Sequence, residues 1–197
     1  SLLVQAYTES TNHTQVIRVC DAMLELDPEI TGILFIRGNA KLDNGDHSGA
    51  LADANALRTA ETDNLRALLL EGNALWKMDE LTQAEEPYLK AKALAEEQGN
   101  EEIFIRAWVE LARLYHDIES SDPEATQGRA AEEFTALLEQ YPAHSLVLTN
   151  ARSYFEYTRQ PERISEIIEK AATDSPERAD LQMGYAQILR QRGEGEK

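Results

Sequence analysis

A chain of 197 residues with 42% hydrophobic residues carries enough apolar surface for one sizeable domain or one repeat array, which argues against a disordered segment. Its 19 Lys and Arg against 36 Asp and Glu give a formal net charge of −17, which repels phosphate backbones and anionic headgroups; neither nucleic acid nor a membrane surface is an expected partner. The single cysteine, Cys20, permits neither an intrachain disulfide nor a CxxC pair, and no apolar run approaches the roughly 18 residues that span a bilayer.

Apolar residues recur at three- and four-residue spacing, as in Leu65, Leu68, Leu69, Leu75 and Trp76, which is the period of one helix face. In chain order the pattern predicts helices near 2–9, 13–26, 31–43, 47–60, 65–78, 81–98, 102–117, 123–140, 145–158, 161–173 and 178–192, and no strand. The helix over 81–98 is prolonged by the helix formers of Ala95-Glu96-Glu97, with Gly99 as its C-cap. Asp122 is placed to cap a helix that has Pro123 as its first residue. In the last helix Leu181, Tyr185, Ile188 and Leu189 face inward and Arg190 and Arg192 outward, as in a capping helix.

The helices repeat. Gly38-Asn39-Ala40 recurs 34 residues later as Gly72-Asn73-Ala74, and Ala50 as Ala84. Pro142 and Pro176 are again 34 apart, each after a helical run, and Pro28 stands in the matching place after Leu24-Glu25-Leu26-Asp27. From Leu65 to Ser145 is 80 residues, twelve more than two periods, which two insertions of about six explain: one at Ala95 to Asn100, one at Glu119 to Glu124. The first copy lacks its opening residues, so the chain is expected to start within a repeat and to be a piece of a longer protein.

Trp108, Leu111, Ala112 and Tyr115, with Ala130, Phe134 and Pro142, resemble the tetratricopeptide repeat, whose first helix carries W-x2-L-G/A-x2-Y and whose second carries A-x3-F before a closing proline. Arg37 and Glu71 depart from it by replacing the usual leucine, and Thr62 and Glu96 by replacing the proline. The resemblance implies an all-α solenoid of antiparallel helix pairs wound into a right-handed superhelix. Repeats are expected near 1–30, 31–64, 65–98, 101–142 and 145–178, with a capping helix at 179–192, forming a single array. It also implies a non-catalytic scaffold that holds a peptide or protein segment in a concave groove. The alternative is an oligomerisation or assembly module, or an accessory segment of a larger enzyme.

No residues argue for catalysis, a metal or a cofactor. Acid pairs such as Glu85-Glu86 and Glu132-Glu133 are read as solvent-facing, the four histidines form no HExxH, and no GxSxG, GxGxxG or phosphate-binding loop occurs. Cys20 falls where the second helix packs inward and reads as a small buried hydrophobe. Neither compartment, cytoplasmic or periplasmic, is favoured for this soluble segment.

In the family, residues of the first helices outside the packing pattern line the groove. That register places Asn39, Asn73, Arg66, Leu69, Trp76, Lys77, Arg106, Val109 and Arg113 there. An asparagine offers both a donor and an acceptor to a peptide backbone. The cations form a basic patch in an acidic chain, suited to an acidic segment or a C-terminal carboxylate, with Trp76 as apolar anchor. The contrary reading pairs these cations with Glu110, Asp117 and Glu71. The likeness to the carboxylate clamp of chaperone-binding members is loose, because Phe35 and Leu69 stand where the clamp has lysine.

Overall fold

The computed structural model describes residues 12–122, 124 and 128–191. Among them are ten helices and no strand: α1 (His13–Leu26), α2 (Gly32–Asp43), α3 (His47–Ala60), α4 (Leu65–Lys77), α5 (Leu81–Glu97), α6 (Glu101–Ser121), α7 (Arg129–Gln140), α8 (Ser145–Tyr157), α9 (Arg163–Asp174) and α10 (Ala179–Gln191). The expected helix near 2–9, Pro123 and Arg192 lie outside the described residues. From residue 13 onwards, the stretch joining α6 to α7 apart, the helices stand where hydrophobic periodicity puts them. The chain divides into two compact units, residues 1–107 and 108–197, and α6 runs through the boundary.

Short polar residues start the helices. The side chains of Asn12, Asp46, Asn64 and Asn100 accept from the backbone N–H three residues on, at 3.1, 3.0, 2.9 and 3.2 Å, each satisfying one orphan donor. Four of the helices also stop alike. After α2, α4, α5 and α8 the residues Gly45, Asp79, Gly99 and Arg159 take φ of 83°, 65°, 65° and 60°. Beyond each, the next N–H reaches back five residues, as from Asp46 to Lys41 O at 2.8 Å and from Gln160 to Phe155 O at 2.7 Å. This is the left-handed termination that ends a helix while still satisfying its last carbonyls. Three of the four turns join the two helices of a pair, so α2–α3, α4–α5 and α8–α9 are folded back by the same device.

In the first unit successive helices pack side by side, α1 on α2, α2 on α3, α3 on α4 and α4 on α5, and α4 also lies against α2. Small residues permit the close approach. Ala50, Ala54, Ala67 and Ala74 are fully buried beside Leu57 and Leu70. A Cβ on Gly38 would overlap Leu70, and one on Gly72 would lie 2.7–2.9 Å from the ring of Tyr88. Cys20 is buried against Val16, Ile33 and Ala40, as expected. Burial pushes its thiol up from the ordinary value, outweighing the lowering effect of Arg37. Cys20 is therefore expected to resist thiol reagents at pH 8 in the folded protein and to react once denatured; full labelling of the native chain within minutes would contradict this packing.

The two residues that replace leucine are held by opposite charges on one helix. Arg37 makes a two-bonded fork to Asp53 of α3, at 3.0 and 2.6 Å, and a third bond to Asp21 of α1 at 2.7 Å. Lys41 reaches the same Asp53 at 3.0 Å. Glu71 of α4 accepts from Arg58 of α3 at 2.5 Å. Helix α3 thus presents Asp53 to the helix before it and Arg58 to the helix after it.

In the second unit α7 packs on α8 and α9, and α9 on α10. Leu181 is buried, and Tyr185, Ile188 and Leu189 are half-buried, in keeping with the inward face expected of α10. Arg178 ties the start of α10 to the end of α7 by donating to the carbonyls of Glu139 and Gln140 at 2.9 and 2.8 Å, a favourable place for a cation beside a helix C-terminus. The second insertion is distributed differently from the expected pattern. Helix α6 continues to Ser121, and α7 begins only at Arg129, after Gly128 at φ 88°. A left-handed residue cannot lie within a right-handed helix, so the extra residues lengthen the first helix of the pair. Asp122 does accept from Glu124 N at 3.1 Å, while the start of α7 is capped by Glu119, which accepts from Ala130 N at 3.1 Å.

Glu133 corrects another expectation. Instead of facing solvent it is half-buried and accepts from the indole N–H of Trp108 at 2.5 Å. A Trp can be buried here because its one donor finds a carboxyl acceptor.

Candidate protein-binding surface

The first helices of the pairs are α2, α4, α6 and α8. On α4 the residues Arg66, Asn73 and Lys77 are spaced by seven and four, which brings them into one stripe along the helix. Arg66 and Lys77 are exposed and Asn73 is half-buried. The neighbouring α2 presents Phe35, with the Arg66 guanidinium 5.6 Å from its ring centroid, and Asn39 one turn further on. Arg66 thus leans across the seam between α2 and α4.

Each asparagine is fixed by one bond and keeps capacity for another. Asn39 donates to Phe35 O at 2.7 Å and retains its side-chain oxygen. Asn73 accepts from the Tyr88 hydroxyl at 2.6 Å and retains its NH2 group. Trp76 meets Tyr88 edge-on with ring centroids 6.4 Å apart, so the buried Tyr88 positions both Asn73 and Trp76. Sequence reasoning missed Tyr88 as an organiser of this surface, although its place one turn after Ala84 is where the family's second helix carries an aromatic.

Two of the expected residues are inside the packing. Leu69 is 5% exposed and Val109 0%, so a ligand cannot touch either. Every helix position of the repeat has a fixed angle but not a fixed depth: Leu69 and Val109 are covered, while Phe35 at the corresponding position of α2 is half-buried. Arg113, in the second unit, is exposed and bonded to Glu110 of its own helix at 2.7 Å, as the contrary reading had it.

The remaining cations behave differently. In the first unit Arg37, Lys41, Arg58 and Lys90 are ion-paired. Arg66, Lys77 and Arg106 are exposed on the first helices and form no ion pair with any described residue. Arg18 on α1 is likewise exposed and outside any ion pair with a described residue, so it is their place on first helices that sets Arg66, Lys77 and Arg106 apart. Among the described residues no group of three or more His, Cys, Asp or Glu could hold a metal ion. No helix among them is long and apolar enough to cross a membrane.

The arrangement of helices has counterparts among solved structures. A thermophilic TPR protein of Thermus thermophilus superposes with a TM-score of 0.64 at 16% identity, over 95% of each chain. The chain has the tetratricopeptide-repeat fold. MamA superposes with a TM-score of 0.61 at 17% identity, over 88% of this chain and 95% of its own. YrrB, described as a TPR protein with an unusual peptide-binding site, gives 0.55 at 19% identity over 91% and 87%. No family model and no curated protein sequence matches the chain. The TPR likeness is therefore one of backbone architecture, carried by the crossing and capping residues described above.

Proposed function

We propose that the chain is a non-catalytic scaffold that holds an extended, acidic segment of a partner protein along the first-helix surface of its first unit. The observation that carries this reading is the set of exposed, unpaired cations Arg66, Lys77 and Arg106 on first helices of an acidic TPR fold. Arg66 and Lys77 supply charge at the two ends of the α4 stripe. Between them the free NH2 of Asn73 can donate to a peptide carbonyl, and the free oxygen of Asn39 on α2 can accept from a peptide N–H. Backbone grip of this kind selects an extended conformation without reading sequence, and the cations then select acidic side chains. The peptide-binding site for which YrrB is described supports reading this architecture as a holder of peptides.

The test is fluorescence anisotropy with a labelled peptide alternating Glu and apolar residues. Combined Arg66→Glu, Lys77→Glu and Arg106→Glu changes are expected to weaken binding roughly thirtyfold, about 2 kcal/mol from three exposed pairs, and to flatten its salt dependence. Unchanged affinity and unchanged salt slope would remove the surface from consideration.

A further inference from the structure

The second unit holds a cleft of about 350 Å³ along α8. Most of its lining is aliphatic, Leu148 of α8 with Ile164 and Ile168 of α9 and Ile188 of α10, and Ser165 of α9 also lines it. From α8, Arg152 and Glu156 line the cleft as well. Both are exposed, and neither forms an ion pair or side-chain hydrogen bond with a described residue, not even with each other. A cation and a Glu one turn apart on a helix can pair, as Lys90 and Glu86 do at 2.6 Å, but the order here, with the cation first, is the weaker of the two. Here both charged groups stay available beside an apolar trough.

We infer that this cleft binds an extended peptide segment of the pattern acidic, apolar, basic. The spacing carries the argument. Arg152 and Glu156 are separated by four helical residues, about 6 Å along the axis. Residues i and i+2 of an extended chain point to the same side about 7 Å apart, while residue i+1 points to the other. A segment lying along α8 therefore sets an acidic side chain at Arg152 and a basic one at Glu156, and turns the residue between them toward Ile164, Ile168 and Ile188. The volume lies at the lower end of the roughly 300–1,000 Å³ typical of ligand sites, which suits one aliphatic side chain with its backbone. The two opposite charges on α8 also explain why a purely acidic segment is not the preferred occupant: it would meet Glu156.

The inference shares with the proposed function only the premise that the chain binds peptides, and it concerns a different unit and a different ligand pattern. Calorimetry on the whole chain uses Gly-Ser-flanked peptides centred on Glu-Leu-Lys, Glu-Ser-Lys and Lys-Leu-Lys. The Glu-Leu-Lys peptide is expected to bind at least about tenfold tighter than the Glu-Ser-Lys peptide. Arg152→Glu is expected to reverse the ranking of Glu-Leu-Lys and Lys-Leu-Lys, while leaving binding of the alternating Glu-apolar probe at the first unit intact. Ser165→Trp, which puts an indole on a residue lining the cleft and leaves Arg152 and Glu156 in place, is expected to abolish binding of all three. Equal affinity for the three peptides, or a ranking unmoved by Arg152→Glu, overturns the assignment. Loss of the Glu-apolar probe's binding with retention of Glu-Leu-Lys binding would count against the first-unit surface alone.

Discussion

Asp53→Ala is expected to destabilise the protein by about 3 kcal/mol, seen as a fall in the denaturant midpoint with an unchanged slope. Asp53 is 3% exposed and is the common acceptor for Arg37 and Lys41. Removing it leaves two cations facing a packed seam with no carboxylate between them. The cost lies at the lower end of that for breaking a buried pair, because Arg37 keeps its bond to Asp21 and both cations retain some contact with water. Arg37 cannot relieve the strain by losing its proton. A guanidinium stays protonated at any working pH even without Asp53, whose hydrogen bonds in the parent protein raise the Arg37 pKa above its ordinary value. The informative partner is Arg37→Leu with Asp53→Leu, which restores the apolar residue of the repeat pattern. That double variant is expected to recover most of the loss, since well-packed apolar replacements of buried pairs are often neutral or better, with Lys41 alone left without its carboxylate. If Asp53→Ala alone is neutral, the network contributes nothing to holding α3 against α2.

Arg37 also shows how far the sequence could be read. Its departure from leucine was visible, because the 34-residue period assigns every position a neighbour one repeat away. Its partners were not, because Asp53 and Asp21 lie on other helices, sixteen residues away in either direction, and the repeat pattern says nothing about charged exceptions. Glu71 and Arg58 repeat the lesson. Helix ends were legible for the opposite reason: Asn64, Asn100 and Gly99 act on backbone groups within a few residues, so local chemistry decides them.

The candidate surface was legible in angle and illegible in depth. Periodicity put Leu69 and Arg66 on the same face of α4, yet one is buried and the other exposed, because depth depends on how close α2 lies. Charge pairing was likewise a matter of tertiary placement: Arg113 found Glu110 on its own helix, while Arg66 found only the ring of Phe35. Glu133 was misplaced because an acid on an amphipathic helix faces water by default, and only the buried indole of Trp108, 25 residues earlier, draws it in. The cleft beside α8 escaped notice altogether. It is a space between three helices, and a sequence records residues, not gaps.

Gly72→Val is expected to cost roughly 3 kcal/mol or more and to weaken the proposed binding surface along with the fold. Valine places a branched Cβ where the distance to the Tyr88 ring would be 2.7–2.9 Å, closer than real Cβ contacts. The ring cannot yield by rotating a flexible end. Tyr88 is completely buried, its hydroxyl is held by Asn73 at 2.6 Å, and its edge meets Trp76. Relief must therefore come from moving α5 away from α4, which loses contacts along the whole seam. Gly38→Val is the milder counterpart, since the group it meets is the methyl end of Leu70, which can change rotamer at a smaller cost. Gly32→Ala, with nothing within 4 Å of the added methyl, is expected to be neutral or slightly stabilising. The order of the three variants in thermal unfolding, Gly72→Val lowest and Gly32→Ala highest, tests whether close helix crossing sets the position of Asn73 and Trp76. Were Gly72→Val as stable as Gly32→Ala, the contact of Tyr88 with α4 would not be what fixes them.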